Sequence, residues 1–374
     1  MPKNILVVKL SAIGDVIHTL PALNAIRKQY PSTHITWLVE EAARSLVEGH
    51  EALDRVLVSK RKRWVKSLFS SKSRYSERME ALKQACVFIK ELRNTHYDLV
   101  IDFQALLKSG VLIGLAKGER KAGFDKGMEH MEHSYLFLNE RIKPVAMDNH
   151  AILRSMMLLD ALGIETDEIE YKLPVREQDR KRVDDLLARY GAVESKGKKL
   201  LAALNPVAKW ETKLWSNPKF AILADKLAEK YNARIVLTGG PEDRPVIQDI
   251  ISRMKTHAVN LAGETTLKML AALFEKTNFV VTTDTGPMHL AAAVGTPVVA
   301  LFGPTAPWRT GPFGNNHQVI RAGLECSPCF KRQCSTTECM EQISVQNVME
   351  GVEKIIQDFL TTEDTEYAQR TQRI

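Results

Sequence analysis

The chain has 374 residues, of which 44% are hydrophobic and 26% charged, and its formal net charge is +7. This is the composition of an ordinary globular protein of about two domains, and it argues against a disordered chain or a fibre. The longest apolar runs, Val111–Ala116 and Pro297–Phe302, fall far short of the roughly 18 residues that a membrane-spanning helix needs. Lys9 and Asp15 interrupt the first apolar run, so we predict no secretory signal and a cytoplasmic location.

Short apolar, β-branched runs alternate with helical patterns in both halves of the chain. The predicted strands are Ile5–Val8, His34–Val39, Arg55–Val58 and Asp98–Ile101 in the first half, and Leu200–Leu204, Arg234–Thr238, Phe279–Thr282 and Pro297–Phe302 in the second. Continuous apolar strands are typical of parallel sheets that are buried on both faces. The alternation of such strands with helices predicts an α/β protein with parallel sheets.

The ends of several helices are also predicted. Asp148 can cap one helix, and Ser216 or Asn217 can cap a second, because short polar side chains accept hydrogen bonds from the first free N–H groups. A third helical pattern follows Thr265. The last amphipathic pattern covers Ser344–Leu360.

The alternation restarts near residue 200, after a charged stretch, which predicts two doubly wound domains. We expect a first domain over residues 1–175, a linker over 176–198, a second domain over 199–360 and a polar tail over 361–374. Two such domains leave a cleft between them, and doubly wound sheets bind ligands beyond the carboxyl ends of their strands. The loops that directly follow strands are therefore the candidate sites.

The positive charge of the chain is concentrated at residues 60–74, which carry seven basic side chains and no acidic one. One interpretation is a solvated loop. The other is a docking surface for a polyanion such as nucleic acid, anionic lipid or a phosphorylated substrate. The sequence pattern alone leaves both interpretations open.

The loop after the first strand runs from Lys9 to Asp15 and contains Gly14, which permits a tight turn or a close backbone approach. Asp15 follows at the start of a helix. It either caps that helix, as aspartate commonly does, or acts as a general base that takes a proton from a hydroxyl group in the cleft.

Three loops of the second half also follow strands. In the first, Lys213 can neutralise a diphosphate or can be an ordinary surface lysine. In the second, Glu242 can bind ribose hydroxyls, as acidic residues at strand ends do in nucleotide sites.

The third loop begins at Asp284 and leads into a helix whose N-terminus suits a phosphate. The Asp284 carboxylate would repel that phosphate, so we expect it either to orient a neighbouring group or to pair with a cation. His289 lies one turn into the helix and is either a partly buried histidine or part of the site. We expect the three loops to converge on one ligand.

Several common catalytic motifs are missing from the sequence. It contains no D-x-D, no P-loop, no H-E-x-x-H and no G-x-S-x-G pattern. Metal-bound phosphate chemistry, P-loop hydrolysis, zinc proteolysis and α/β-hydrolase chemistry therefore lose support.

Three motifs together carry a family resemblance: Ser11–Asp15 followed by His18–Leu23, then Trp210–Trp215, then Asp284–Leu290. In this order and spacing they resemble the ADP-heptose:lipopolysaccharide heptosyltransferases, family 9 of the glycosyltransferases, over about residues 3–356. Further segments look most like the heptosyltransferase I branch; they are Lys62–Lys66, Asp102–Ser109 and Asn149–Ala151.

The resemblance implies a GT-B fold, with two Rossmann-like domains facing each other across a cleft. It implies inverting, metal-independent transfer of heptose from ADP-heptose to a Kdo residue of lipid A, with the acceptor bound by the first domain. No cofactor is then required for catalysis. The partners would be the donor, the anionic lipid A–Kdo acceptor and the cytoplasmic face of the inner membrane, with no nucleic acid.

The resemblance also assigns roles to residues. Asp15 falls on the general base and Lys213 on the lysine that binds the diphosphate, while Ser11 lies where the family has a residue near the base. The remaining assignments are donor binding by Ser11, Glu242, Thr265, Asp284, Thr285, Gly286 and His289, and acceptor binding by Lys62, Arg63, Lys66, Lys108 and His150.

Four cysteines form a separate cluster with the spacing C-x2-C-x4-C-x4-C: Cys326, Cys329, Cys334 and Cys339. Four thiolates can hold one structural zinc, and reduced or disulfide-paired cysteines are the alternative. The run also resembles heptosyltransferase II, so transfer to a heptose acceptor is a second interpretation. Interpretations from other functional classes also stay open for this chain. One is a zinc-knuckle RNA-binding protein, and the other is a non-catalytic nucleotide-sugar binder or an epimerase.

Overall fold

The computed structural model describes residues 1–129, 132–191 and 200–357. The chain divides into two compact units, one of Met1–Pro174 and one that begins at Val175. Each unit contains one six-stranded sheet. Within the described ranges, no helix is long and apolar enough to cross a membrane.

The first unit is built on strands β1 (Asn4–Val8), β2 (His34–Glu40), β3 (Arg55–Ser59), β4 (His96–Asp102), β5 (Lys117–Phe124) and β6 (Glu140–Ile142). Their order is β3-β2-β1-β4-β5-β6, and every pairing is parallel. The direction of strand addition reverses between β1 and β4. The loops after these two strands therefore lie side by side at the switch point, where doubly wound sheets bind ligands.

The second unit repeats this topology with strands β7 (Leu201–Asn205), β8 (Arg234–Leu237), β9 (Ala258–Asn260), β10 (Phe279–Thr283), β11 (Val298–Leu301) and β12 (Gln318–Ile320). Their order is β12-β11-β10-β7-β8-β9, again with parallel pairing throughout. The switch point lies between β7 and β10. The predicted α/β class with two Rossmann-like parallel sheets is confirmed.

The helices of the first unit are α1 (Ile13–Ile17), α2 (Leu20–Gln29), α3 (Arg44–Val47), α4 (Arg61–Phe69), α5 (Tyr75–Arg93), α6 (Leu107–Leu115) and α7 (Ala151–Ala161). The basic run is thus not only a loop, because residues 61–69 form α4 and residues 70–74 connect it to α5, whose N-cap is Arg74. Helix α4 keeps Trp64 buried, and the Trp64 ring packs against Phe88 of α5 at 5.3 Å.

The helices of the second unit are α8 (Glu177–Arg189), α9 (Asn217–Tyr231), α10 (Arg244–Arg253), α11 (Leu267–Lys276), α12 (Gly286–Ala293), α13 (Pro307–Thr310), α14 (Glu338–Glu341) and α15 (residues 345–357). The N-cap of α9 is Ser216, which is one of the two caps, Ser216 and Asn217, that the sequence predicted. The N-cap of α11 is Thr266, whose side chain accepts a hydrogen bond from Met269, and not Thr265.

Part of the predicted linker is a structural element of the second unit. Helix α8 buries Val183, Leu186 and Leu187, and the Arg180 guanidinium pairs with the Glu275 carboxylate of α11 at 2.7 Å. The remainder of the predicted linker, from residue 192, and the predicted tail 361–374 lie outside the described residues.

Candidate functional site

In the first unit, two backbone loops are tied together at the switch point. The Gln104 side-chain oxygen accepts hydrogen bonds from the backbone N–H groups of Leu10 and Ser11, both at 2.9 Å. The Lys9 ammonium donates to the Phe103 carbonyl at 2.8 Å. Burial lowers the pKa of Lys9, although the charge of Asp15 opposes this shift.

Asp15 lies at the third position of α1 and caps it, since its Oδ2 accepts a hydrogen bond from the Ala12 backbone N–H at 2.8 Å. The same side chain lines a cavity of about 200 Å³ together with Lys9, His18 and Arg154. Capping and a chemical role are therefore compatible, because the capping carboxylate also borders a space lined by basic side chains and by Glu129.

Next to this cavity, Glu40 at the end of β2 holds three cations. Its carboxylate lies 2.7 Å from the Lys62 nitrogen, 3.5 Å from Arg61 and 3.7 Å from Lys108, and only 4% of the side chain is exposed. Burial disfavours the charged form, but the Lys62 hydrogen bond and the three positive charges outweigh it and lower the pKa of Glu40. Lys108 also donates a hydrogen bond to Ser11 Oγ at 2.5 Å.

The structure thus places Ser11 in the first unit beside Lys108, whereas the other donor candidates lie in the second unit. Arg63 and Lys66 of α4 are exposed to solvent. Sequence reasoning missed Glu40, although its position directly after a buried strand was a usable signal.

His150 has a structural role that the sequence did not predict. It is the N-cap of α7, and its ring nitrogen accepts a hydrogen bond from the Ile152 backbone N–H at 3.3 Å. The prediction that Asp148 caps this helix is therefore wrong. His150 is only 8% exposed, and its ring lies 5.1 Å from that of His18. Acceptor binding by His150 stays a prediction.

In the second unit, Lys213 and Asp284 form an ion pair across the switch point. The Lys213 nitrogen lies 2.6 Å from Asp284 Oδ2, and the two side chains are only 15% and 6% exposed. The Thr305 hydroxyl donates a second hydrogen bond to the same oxygen at 2.6 Å. Asp284 therefore meets a cation, as predicted, and that cation is Lys213.

The three predicted loops lie along one edge of the second sheet, because they follow the neighbouring strands β8, β7 and β10. Hydrogen bonds join them: Thr283 Oγ1 donates to the Val207 carbonyl at 3.1 Å, and Thr238 Oγ1 donates to Asn205 Oδ1 at 3.2 Å. The three loops are therefore neighbours, as predicted, and their convergence on one ligand stays a prediction.

Glu242 and Thr265 lie toward the β8–β9 side of this edge. Glu242 is exposed and folds over Gly240, so closely that a Cβ atom there would lie 2.7 Å from its carboxylate. Gly263, just before the half-buried Thr265, donates a backbone hydrogen bond to the Gly239 carbonyl at 2.9 Å. The two loops are thereby held together.

Helix α12 begins just beyond the carboxyl end of β10. Thr285 is its N-cap, Gly286 its first residue, and Pro287 contributes no N–H group. The N–H groups of Thr285 and Gly286 are therefore the main donors that this helix start can offer. His289 is buried, with 8% of its surface exposed.

The cysteine segment, which comprises residues 326–339, packs beside these loops. Cys326 and Cys334 are exposed, while Cys329 and Cys339 are partly buried. Burial raises the pKa of Cys339, and the charges of Cys329, Cys326 and Cys334 raise it further. Among the residues that the structure describes, no group of three or more potential ligands is placed to hold a metal ion. The structural zinc stays a prediction.

Comparisons with known proteins show which family and which solved structures the chain is similar to. A sequence model of glycosyltransferase family 9 (heptosyltransferase) matches residues 86–340. The lipopolysaccharide heptosyltransferase 1 of Pseudomonas aeruginosa is 30% identical over 88% of this chain and 87% of its own. The lipopolysaccharide core heptosyltransferase OpsX of Haemophilus influenzae is 26% identical over 85% of this chain and 84% of its own. The solved structure of E. coli heptosyltransferase WaaC with ADP matches with a TM-score of 0.74, 26% identity and coverage of 94% of this chain and 99% of that chain.

Proposed function

Because this chain belongs to glycosyltransferase family 9, the heptosyltransferases, we propose that it transfers heptose from ADP-heptose to a Kdo residue of lipid A during synthesis of the lipopolysaccharide inner core. Similarity to a relative named lipopolysaccharide heptosyltransferase 1 supports this acceptor, and similarity to a heptosyltransferase solved with ADP supports an ADP-sugar donor. The observation that carries the proposal is the Asp15 carboxylate at the cavity on the switch point of the first sheet, which Lys9, His18 and Arg154 also line.

In the proposed reaction, Asp15 accepts the proton of the acceptor hydroxyl while the hydroxyl oxygen attacks the anomeric carbon of heptose. The new glycosidic bond forms on one face of the sugar as the bond to the ADP phosphate breaks on the other, so the configuration inverts. Positioned general bases typically contribute about 10²–10⁴ in rate.

The leaving ADP develops negative charge that must be stabilised. We assign this role to Lys213 and to the N–H groups at the start of α12, since preorganised donors and cations act strongly on charge that develops in the transition state. Asp284 and Thr305 fix the Lys213 ammonium in place. Glu242 and Thr265 would contact the nucleoside part of the donor, and His289 supports the phosphate loop from within α12.

The acceptor in this proposal is bound by cations of the first unit. Lys62, Arg63, Lys66 and Lys108 would contact the carboxylates of Kdo and the phosphates of lipid A. Glu40 orients Lys62 and Lys108 by direct ion pairs. Lipid A is membrane-bound, so the enzyme would work peripherally at the cytoplasmic face of the inner membrane.

We predict that transfer persists in excess EDTA. The sequence has no D-x-D motif to bind a divalent ion, and Lys213 with the α12 N-terminus supplies positive charge in its place. The measurement is the initial rate of a purified enzyme with and without EDTA. Thermal unfolding is followed in the same samples, because a zinc in the cysteine segment would act through stability. Lost activity in a folded protein, restored by Mg²⁺ or Mn²⁺, would contradict the metal-independent mechanism.

We predict that charge reversal on α4 weakens acceptor binding and spares donor binding. The variant is Arg63→Glu with Lys66→Glu; Lys62 is left intact, because a carboxylate there would face Glu40. The variant no longer attracts the anionic acceptor, so the KM for lipid A–Kdo should rise and the salt dependence of that KM should weaken. Exposed charges act only within about 10 Å at ordinary ionic strength, so donor binding should be spared. The kcat at saturating acceptor should fall less than kcat/KM.

The matched control for this variant is Lys226→Glu, which reverses an exposed charge on α9 of the second unit. It should leave acceptor kinetics unchanged. A donor defect with normal acceptor kinetics in the α4 variant would mean that the acceptor is not bound by the first unit.

The proposed function is tested in cells by glycan analysis of a deletion strain. The account expects a lipopolysaccharide that is truncated at Kdo and is restored by the wild-type chain. A core that already carries its first heptose in the deletion strain would contradict the assigned acceptor.

A further inference from the structure

The ring of Trp210, in the loop after β7, is contacted by two cations. The Lys213 nitrogen lies 4.5 Å from the ring centroid and the Arg332 guanidinium carbon lies 4.9 Å from it. These two distances place the cations less than 10 Å apart. Both contacts are within the range in which a positive charge is attracted by an aromatic ring.

The two cations differ in how their charge is compensated. Lys213 is paired with Asp284 at 2.6 Å, so the pair as a whole carries no net charge. Arg332 is exposed, and within the described part of the chain it forms no ion pair with a carboxylate. Arg332 therefore brings an uncompensated positive charge to the edge where the Lys213–Asp284 pair lies.

Arg332 is held there by the cysteine segment. The Lys331 carbonyl accepts a hydrogen bond from Thr212 Oγ1 at 2.9 Å, which ties the segment to the β7 loop. The backbone N–H groups of Cys329 and Phe330 both donate to the Pro304 carbonyl, at 3.0 and 2.8 Å. Pro304 directly precedes Thr305, the partner of Asp284. The segment thus contacts the loops on both sides of the ion pair.

We propose that Arg332 is a further donor-binding residue, which contacts the diphosphate of a nucleoside diphosphate sugar. The inference rests on the proposed function, because it takes the second unit as the donor site. A guanidinium group stacked on an aromatic ring keeps its N–H edge available, and that edge matches two phosphate oxygens at once. The cysteine segment then acts as the support that presents this arginine to the donor.

The test is isothermal titration of the full-length protein with ADP, AMP and adenosine. Arg332→Ala is compared with Lys331→Ala, which removes a neighbouring exposed charge from the same segment but none of the ring contact. Because a hydrogen bond to a charged group is lost, Arg332→Ala should weaken ADP binding about tenfold. AMP binding should weaken less and adenosine binding should not change. Arg332→Lys should restore part of the loss, and Lys331→Ala should bind ADP within about twofold of wild type.

Three results would overturn the proposal, and they are distinguishable. If wild type binds ADP but Arg332→Ala binds it as Lys331→Ala does, Arg332 has no role at the diphosphate and only this inference fails. If wild type binds neither ADP nor AMP, the assignment of the second unit as the donor site fails, and the inference fails with it. Equal losses for ADP and adenosine would show that Arg332 acts on the nucleoside or on the shape of the loop.

Discussion

Replacing Asp15 by alanine is expected to lower the rate of heptose transfer by about 10²–10⁴-fold, the usual cost of removing a general base. ADP affinity should stay nearly unchanged, because the residues proposed to contact the donor phosphates lie in the second unit. The measurement is kcat with purified protein and saturating substrates, together with ADP titration. Transfer within a few-fold of wild type would reduce Asp15 to a helix cap.

The capping role of Asp15 requires two controls. Asp15→Asn keeps an oxygen that can accept the Ala12 hydrogen bond but cannot take a proton, so it should be as inactive as Asp15→Ala and more stable. Asp179 has the same position in α8, where its Oδ2 accepts a hydrogen bond from the Arg176 backbone N–H at 3.1 Å. Asp179→Ala should therefore lose only the stability of a cap, about 1 kcal/mol, and keep full activity.

Replacing Lys213 by alanine is expected to have two large effects. It leaves the Asp284 carboxylate buried without its cation, and breaking a buried pair in this way typically costs about 3–5 kcal/mol in the free energy of unfolding. It also removes a charged donor to the diphosphate, which should weaken ADP binding by about ten- to a hundredfold. Thermal unfolding and ADP titration measure the two effects separately.

A double variant separates stability from binding. Lys213→Met with Asp284→Asn removes both charges at nearly constant volume, so it should recover most of the lost stability. ADP binding should remain weak, because the cation is still missing. Recovery of ADP binding along with stability would mean that Lys213 only holds the fold of the loop.

The strands that the sequence predicted are those with continuous apolar runs. All four apolar residues of β1 after Asn4 are fully buried, as a parallel strand at the centre of a sheet requires. The missed strands lack this signal. Strand β5 reads KGERKAGF and has charged residues at its exposed positions, while β6, β9 and β12 have only three residues each. Their pairing with a neighbour, and not their own composition, makes them strands.

The candidate site loops could be predicted because each follows a recognisable strand directly. Lys213 and Asp284 were both found in this way, although their 2.6 Å contact joins residues that are 71 apart in sequence. Arg332 could not be found, because its contact with Trp210 depends on how a distant segment folds back. Likewise, the basic run predicted a charged surface, but its ion pairs with Glu40 were visible only once β2 and α4 were placed together.

The most direct test of the account is transfer by the purified enzyme from ADP-heptose to two acceptors, lipid A–Kdo and lipid A–Kdo that already carries one heptose. Product masses show which acceptor gains a heptose residue. The account predicts that lipid A–Kdo gains one and that the heptose-bearing acceptor gains none. Transfer only to the heptose-bearing acceptor would contradict the assigned reaction and would indicate a heptosyltransferase II-type enzyme.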